Sequence, residues 1–85
     1  MAWLEVKVYK RSSSGQMWPY EYAKVSAKTT GFTGGFIDDV RTDSDGEAVL
    51  KWSNNDKDID AIYIDGTKYS GPYSQGRTVR IVVNV

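Results

Sequence analysis

Eleven carboxylates, with no histidine and no cysteine, set the chemical repertoire of this 85-residue chain. Without imidazole it lacks the commonest general base and the commonest metal ligand. Without thiols there is no disulfide, no thiolate nucleophile and no cysteine metal site. Zinc centres and Ser-His-Asp or Cys-His catalysis therefore cannot be assembled from this chain alone. What remains for carboxylates is paired acid–base work or calcium. Asp38 and Asp39 are adjacent in sequence. Neighbours on a strand point to opposite faces, so these two are not expected to flank one glycosidic bond. Calcium needs about six to eight oxygens around one point. In the EF-hand register that puts Gly46 at the turn glycine, Arg41 falls on the first ligand position and Trp52 on the last, and the motif fails. Asn54 to Asp60 has oxygen ligands but no such glycine, so its aspartates read as ordinary turn residues. Gly31-Phe32-Thr33-Gly34-Gly35 lacks the lysine and the helix of a phosphate loop. No catalytic residue, cofactor or metal is expected.

The aromatic residues are the better lead. Three tryptophans and six tyrosines are many for this length. Trp18, Tyr20 and Tyr22 gather beside Pro19, and Tyr69 and Tyr73 beside Pro72, in stretches that read as loops or their edges. Exposed aromatics offer large, rigid contact area to a protein or a sugar at low entropic cost. The plainer alternative is that these rings cap the open ends of a small sandwich.

Charge narrows the partner. Eleven basic residues balance eleven acidic ones, for a formal net charge of zero. The longest basic run is Lys10-Arg11. A nucleic-acid partner needs a basic surface to displace counterions, so none is expected. No apolar stretch approaches the roughly 20 residues of a membrane-spanning helix. The start, Met1-Ala2-Trp3-Leu4-Glu5, alternates at once and does not read as a signal peptide. The expectation is a cytoplasmic protein, or a surface module if the chain is excised from a longer one.

The elements that position these residues are strands, because the dominant period is two. Leu4, Val6 and Val8 alternate with Glu5 and Lys7 in a first strand, Trp3 to Lys10. Pro19 bars its neighbourhood from a central strand. Ala23, Val25 and Ala27 form the apolar face of Tyr22 to Thr29. Phe36 to Thr42 reads as a strand with Phe36, Asp38 and Val40 on one side and Ile37, Asp39 and Arg41 on the other. Asp43-Ser44-Asp45-Gly46 is a turn, with aspartate capping the backbone and Gly46 supplying positive φ. It leads to Glu47 to Ser53, with Ala48, Leu50 and Trp52 inward, and the two strands are expected to form a hairpin. Ile59 to Asp65 is apolar on both faces and suits a central strand. Asp65-Gly66 fits a type I′ turn returning through Thr67 to Tyr69, and Ser70 to Gly76 reads as a loop. Arg77 to Val85 closes the domain with Val79, Ile81, Val83 and Val85 on one face. About seven short strands at this spacing predict a single all-β, antiparallel sandwich domain over residues 1–85.

Two segments carry a family likeness. Tyr22-Ala23-Lys24-Val25-Ser26-Ala27 resembles the G-A-x-V-x-A second strand of transthyretin-like and carboxypeptidase-regulatory-like sandwiches. Thr42-Asp43-Ser44-Asp45-Gly46-Glu47-Ala48-Val49-Leu50 resembles their T-D-x-x-G-x-A-x-L turn and strand. Bacterial Ig-like repeats and collagen-adhesin B-type domains share these features. Tyr22 stands where the family has glycine. The resemblance implies a seven-stranded Ig-like (transthyretin-like) sandwich used as a structural, adhesive or accessory module, without catalysis. It also implies a test for an isopeptide bond, since some adhesin domains join a first-strand lysine to a last-strand asparagine beside a buried acid. Lys10, Asn84 and Asp65 are the candidates. Asn84 falls on the face opposite Val83 and Val85, so solvated surface residues are the plainer reading. The function expected is a non-catalytic structural or protein-binding module. A carbohydrate-binding module using Trp18, Tyr20, Tyr69 and Tyr73 is the first alternative. A self-assembling subunit pairing through an edge such as Phe36 to Thr42 is the second.

Overall fold

A computed structural model describes residues 1–31, 35–53 and 56–85. Positions 32–34 and 54–55 lie outside the described residues, and with them part of the glycine-rich connection and of the Asn54 to Asp60 loop. The described residues form eight strands and no helix. In chain order these are β1 (Ala2–Arg11), β2 (Met17–Pro19), β3 (Lys24–Thr29), β4 (Phe36–Arg41), β5 (Glu47–Trp52), β6 (Ile59–Ile64), β7 (Thr67–Tyr73) and β8 (Thr78–Asn84).

The strands build two sheets. In the first, β1 is flanked by β5 and β2 end to end along one side and by β8 along the other. The second runs β4-β3-β6-β7. Every pairing is antiparallel except β1 with β8, which is parallel over seven consecutive residues. The expected fully antiparallel sandwich is corrected at that pair. The eighth strand is the three-residue β2, which carries Pro19 on the sheet's margin, where a missing N–H costs no ladder bond.

The core lies between the sheets. Leu4, Val6 and Val8 from β1, Val25 and Ala27 from β3, Leu50 from β5 and Ile59 and Ile62 from β6 are fully buried. On β1, β3 and β5 these are the faces that alternation assigned inward, whereas β6, apolar on both faces, had no inward face assigned. Val85, expected on the same face as Val79, Ile81 and Val83, lies past the end of β8 and is 64% exposed.

The hairpin expected between Phe36 to Thr42 and Glu47 to Ser53 does not form. β4 pairs with β3 in one sheet and β5 with β1 in the other. Both carry inward apolar residues, Ile37 and Val40 on β4 and Ala48, Leu50 and Trp52 on β5. Those residues meet across the core, so the turn between them is a corner joining the sheets. Ile37 and Val40, expected on opposite faces, both pack on the core. The cause is a bulge. Val25 pairs with Val40 and Ala27 with Ile37, so three steps on β4 match two on β3, with Asp38-Asp39 absorbing the extra residue. The loop expected at Ser70 to Gly76 is strand as far as Tyr73, since β7 is an edge and tolerates Pro72.

Candidate functional site

One end of the sandwich is organised by the corner after β4. Asp43 Oδ1 accepts from the backbone N–H of Asp45 at 2.9 Å and of Glu47 at 3.0 Å, which closes the turn. Gly46 follows at φ 77°. A Cβ there would lie 2.4 Å from the Val8 carbonyl oxygen, so a side chain is barred by space as well as by dihedral. Thr42, which no sequence signal marked as a hub, is 2% exposed. Its Oγ1 donates to the Tyr20 carbonyl at 2.6 Å and accepts from the Ala23 N–H at 2.7 Å. The chain entering β3 is thus stitched to the chain leaving β4.

Tyr20 and Asp65 tie the two sheets together at the same end. The Tyr20 hydroxyl, just beyond β2, donates to Asp65 Oδ2 in the β6–β7 turn. Asp65 Oδ1 accepts from the Lys24 N–H at 3.0 Å. Asp65 and Gly66 have φ of 50° and 87°, as the type I′ turn requires. The Lys10 ammonium sits 4.2 Å from the centre of the Tyr20 ring. The hydrogen bond from Tyr20 holds the Asp65 carboxyl below its ordinary value, helped by the Lys24 N–H and the nearby Arg41 and Lys10 charges and opposed by partial burial. The same bond, with partial burial and the Asp65 charge, raises the Tyr20 hydroxyl.

The second feature is the outer face of the β4-β3-β6-β7 sheet. Lys24 lies opposite Arg41, Lys28 opposite Phe36, and Tyr63 opposite Lys68, and residues opposite one another share a face. Phe36 is 68% exposed and its ring lies 5.6 Å from that of Tyr63. At the other end of β4 the Arg41 guanidinium lies 5.2 Å from the centre of the Tyr22 ring, which is 70% exposed. Tyr22 has φ 60°, in the left-handed region. A non-glycine residue there costs about 1–3 kcal/mol, and such outliers cluster at functional positions. The face is therefore a strip, with an aromatic pair at one end, a cation-stacked tyrosine at the other and lysines between. Five residues of strand separate its ends, roughly 17 Å.

The remaining sequence candidates are dispersed. Trp18 is 40% exposed on β2. Tyr69 and Tyr73 lie on β7, not in a loop, and are half-buried against the core. The Tyr73 hydroxyl donates to the backbone carbonyls of Tyr69 and Ser70 at 3.3 and 3.2 Å, and burial raises its pKa. The five aromatics do not form one surface, because Tyr73 pairs with Ile59 at the far end of β6 from Asp65. Of the isopeptide candidates, Lys10 covers Tyr20 and Asp65 binds Tyr20, whereas Asn84 Oδ1 accepts from Arg11 Nε at 2.9 Å. Asn84 pairs in register with Arg11, not with Lys10, which places it on the other face.

Asp38 and Asp39 are exposed at the bulge, where strict alternation does not hold. Asp38 borders a cleft of about 360 Å³ with Thr29, Phe36, Lys51, Trp52 and Lys57. Asp58 Oδ1 accepts from the Gln75 N–H at 3.1 Å, a bond to the β7–β8 connection and not one that closes its own loop. No group of three or more potential metal ligands gathers among the described residues. No protein-family model matches this chain, and no curated protein matches its sequence.

Proposed function

We propose that the chain is a non-catalytic β-sandwich module of transthyretin-like or Ig-like type that binds a protein partner along the outer face of β3 and β4. The observation that carries this reading is Tyr22, whose ring is exposed on a left-handed backbone where glycine would be cheaper. Arg41 stacks on that ring, and Lys24 and Lys28 extend the same face toward Phe36 and Tyr63. Tyrosine, arginine and phenylalanine are residue types that anchor interfaces. Lys24, Lys28, Arg41 and Lys68 outnumber the exposed Asp38 and Asp39 of β4 and favour an extended acidic segment by charge. The absence of histidine and cysteine supports the non-catalytic part.

The test uses a soluble copolymer of glutamate and tyrosine as probe. Its binding is expected to weaken as salt rises. Tyr22→Gly relieves the strained backbone and removes the anchor. It is expected to raise stability by about 0.5–1 kcal/mol while weakening binding roughly tenfold, the loss of about 1.4 kcal/mol of contact. Binding unchanged by Tyr22→Gly would count against the reading. So would a neutral polysaccharide that quenches tryptophan fluorescence where the copolymer does nothing, which would favour a sugar-binding surface around Trp18.

A further inference from the structure

β8 is an edge strand whose backbone is prepared for a partner. Among the described residues its strand neighbour is β1 alone. The Glu5 N–H donates to the Arg77 carbonyl at 3.0 Å, and the Val85 N–H donates to the Arg11 carbonyl at 3.0 Å. Backbone groups of successive strand residues point to alternate sides. The odd-numbered residues of this segment therefore face β1. Thr78, Arg80, Val82 and Asn84 turn their N–H and C=O groups to the open side.

The other margins are blunted as edges usually are. β2 is three residues long and contains Pro19. β4, the edge named in the sequence reading, is broken by the Asp38-Asp39 bulge. β7 contains Pro72 and a register shift opposite Ile59 and Ala61. Among the described residues β5 pairs with β1 alone, but it carries two charged residues, Glu47 and Lys51, and lies beside β4 at the corner. β8 has an unbroken register, no proline and a single charged residue, Arg80.

We infer that β8 pairs antiparallel with β8 of a second copy of this chain, joining two sandwiches through one continuous sheet. A two-fold interface must be self-complementary. With the axis at Ile81, Thr78 meets Asn84, Arg80 meets Val82, Val79 meets Val83 and Ile81 meets its own copy. All seven residues of β8 are used, and roughly eight backbone hydrogen bonds form across the pair. Polar residues meet polar residues at the ends, apolar ones meet on the inner face, and Arg80 faces valine. A shift of two residues that brings Arg80 opposite itself is disfavoured by like charge. Val79 and Val83, half-exposed in the single copy, gain cover. A chain of zero net charge offers no long-range repulsion to its copy.

Sedimentation of the full chain over a range of concentrations tests this. The mass is expected to rise from 9.5 kDa toward twice that value. Val82→Arg places two arginines opposite each other twice in the symmetric pair, and is expected to weaken association roughly tenfold. Val82→Glu places a carboxylate opposite Arg80 at the same positions and is expected to strengthen it. Because Val82 sits on the outer face, the glutamate variant also reports whether the site tolerates charge. A wild-type mass of one chain at millimolar concentration overturns the inference. So does a dimer that responds identically to arginine and glutamate at this position.

Discussion

Tyr20 and Asp65 make the clearest residue-scale prediction, because each shifts the other in a direction with a definite sign. Asp65 titrates below its ordinary value in the folded chain. Its contribution to stability is complete above about pH 4 and is lost as pH falls through the depressed folded value. Tyr20 titrates above its ordinary value. Its contribution is complete below about pH 10 and is lost as pH rises through the raised folded value. Tyr20→Phe should cost about 0.5–1.5 kcal/mol at neutral pH, toward the lower end because Asp65 is exposed to solvent. It should also flatten the loss of stability on acidification below pH ~4. Thermal unfolding across pH checks this, and an acid limb identical to that of the parent chain would contradict it. Neither partner could be paired from sequence. They stand 45 residues apart, and tyrosine near a turn gives no signal of which carboxylate it meets. The Asp65-Gly66 turn was legible, since adjacent positive φ angles call for that residue pair.

At the scale of elements, the corner between β4 and β5 decides the architecture. Two alternating strands joined by a tight turn normally read as a hairpin, and the sequence carries no mark that β4 and β5 join different sheets. The missing signal is Thr42. One buried hydroxyl satisfies the Tyr20 carbonyl and the Ala23 N–H, fixing the chain as it leaves one sheet for the other. Thr42→Val keeps the shape and strands both groups. It should destabilise by about 1–3 kcal/mol, whereas Thr42→Ser should recover most of the loss, both read by chemical denaturation. Equal stability of valine and threonine at this position would show that the corner is held by packing alone. The bulge at Asp38-Asp39 hid from sequence for a related reason. It shifts an alternating pattern by one residue without changing composition, so the inward pair Ile37 and Val40 looked split between faces. Inward faces of β1, β3 and β5 were legible because their alternation is unbroken.

At the scale of the whole molecule, the two proposed partner surfaces lie on different sheets. One is the basic and aromatic strip on β3 and β4. The other is the regular edge of β8. Dimerisation through β8 would leave the strip open and present it twice, which raises effective affinity for a partner with repeated acidic segments. The loop aromatics were the sequence's best lead, and only Tyr22 of that group joins the strip. Phe36, Tyr63 and Arg41 complete it, and their proximity is a product of strand register that composition does not encode. The proposed partner surface is this strip. The most direct measurement is amide chemical-shift mapping of the isotope-labelled chain titrated with the glutamate–tyrosine copolymer. With the partner on this strip, the expected shifts concentrate at Tyr22, Lys24, Lys28, Phe36, Arg41 and Tyr63 and are reversed by added salt. Shifts confined to Trp18 and Tyr73, or no shifts on β3 and β4 at saturating probe, would contradict it.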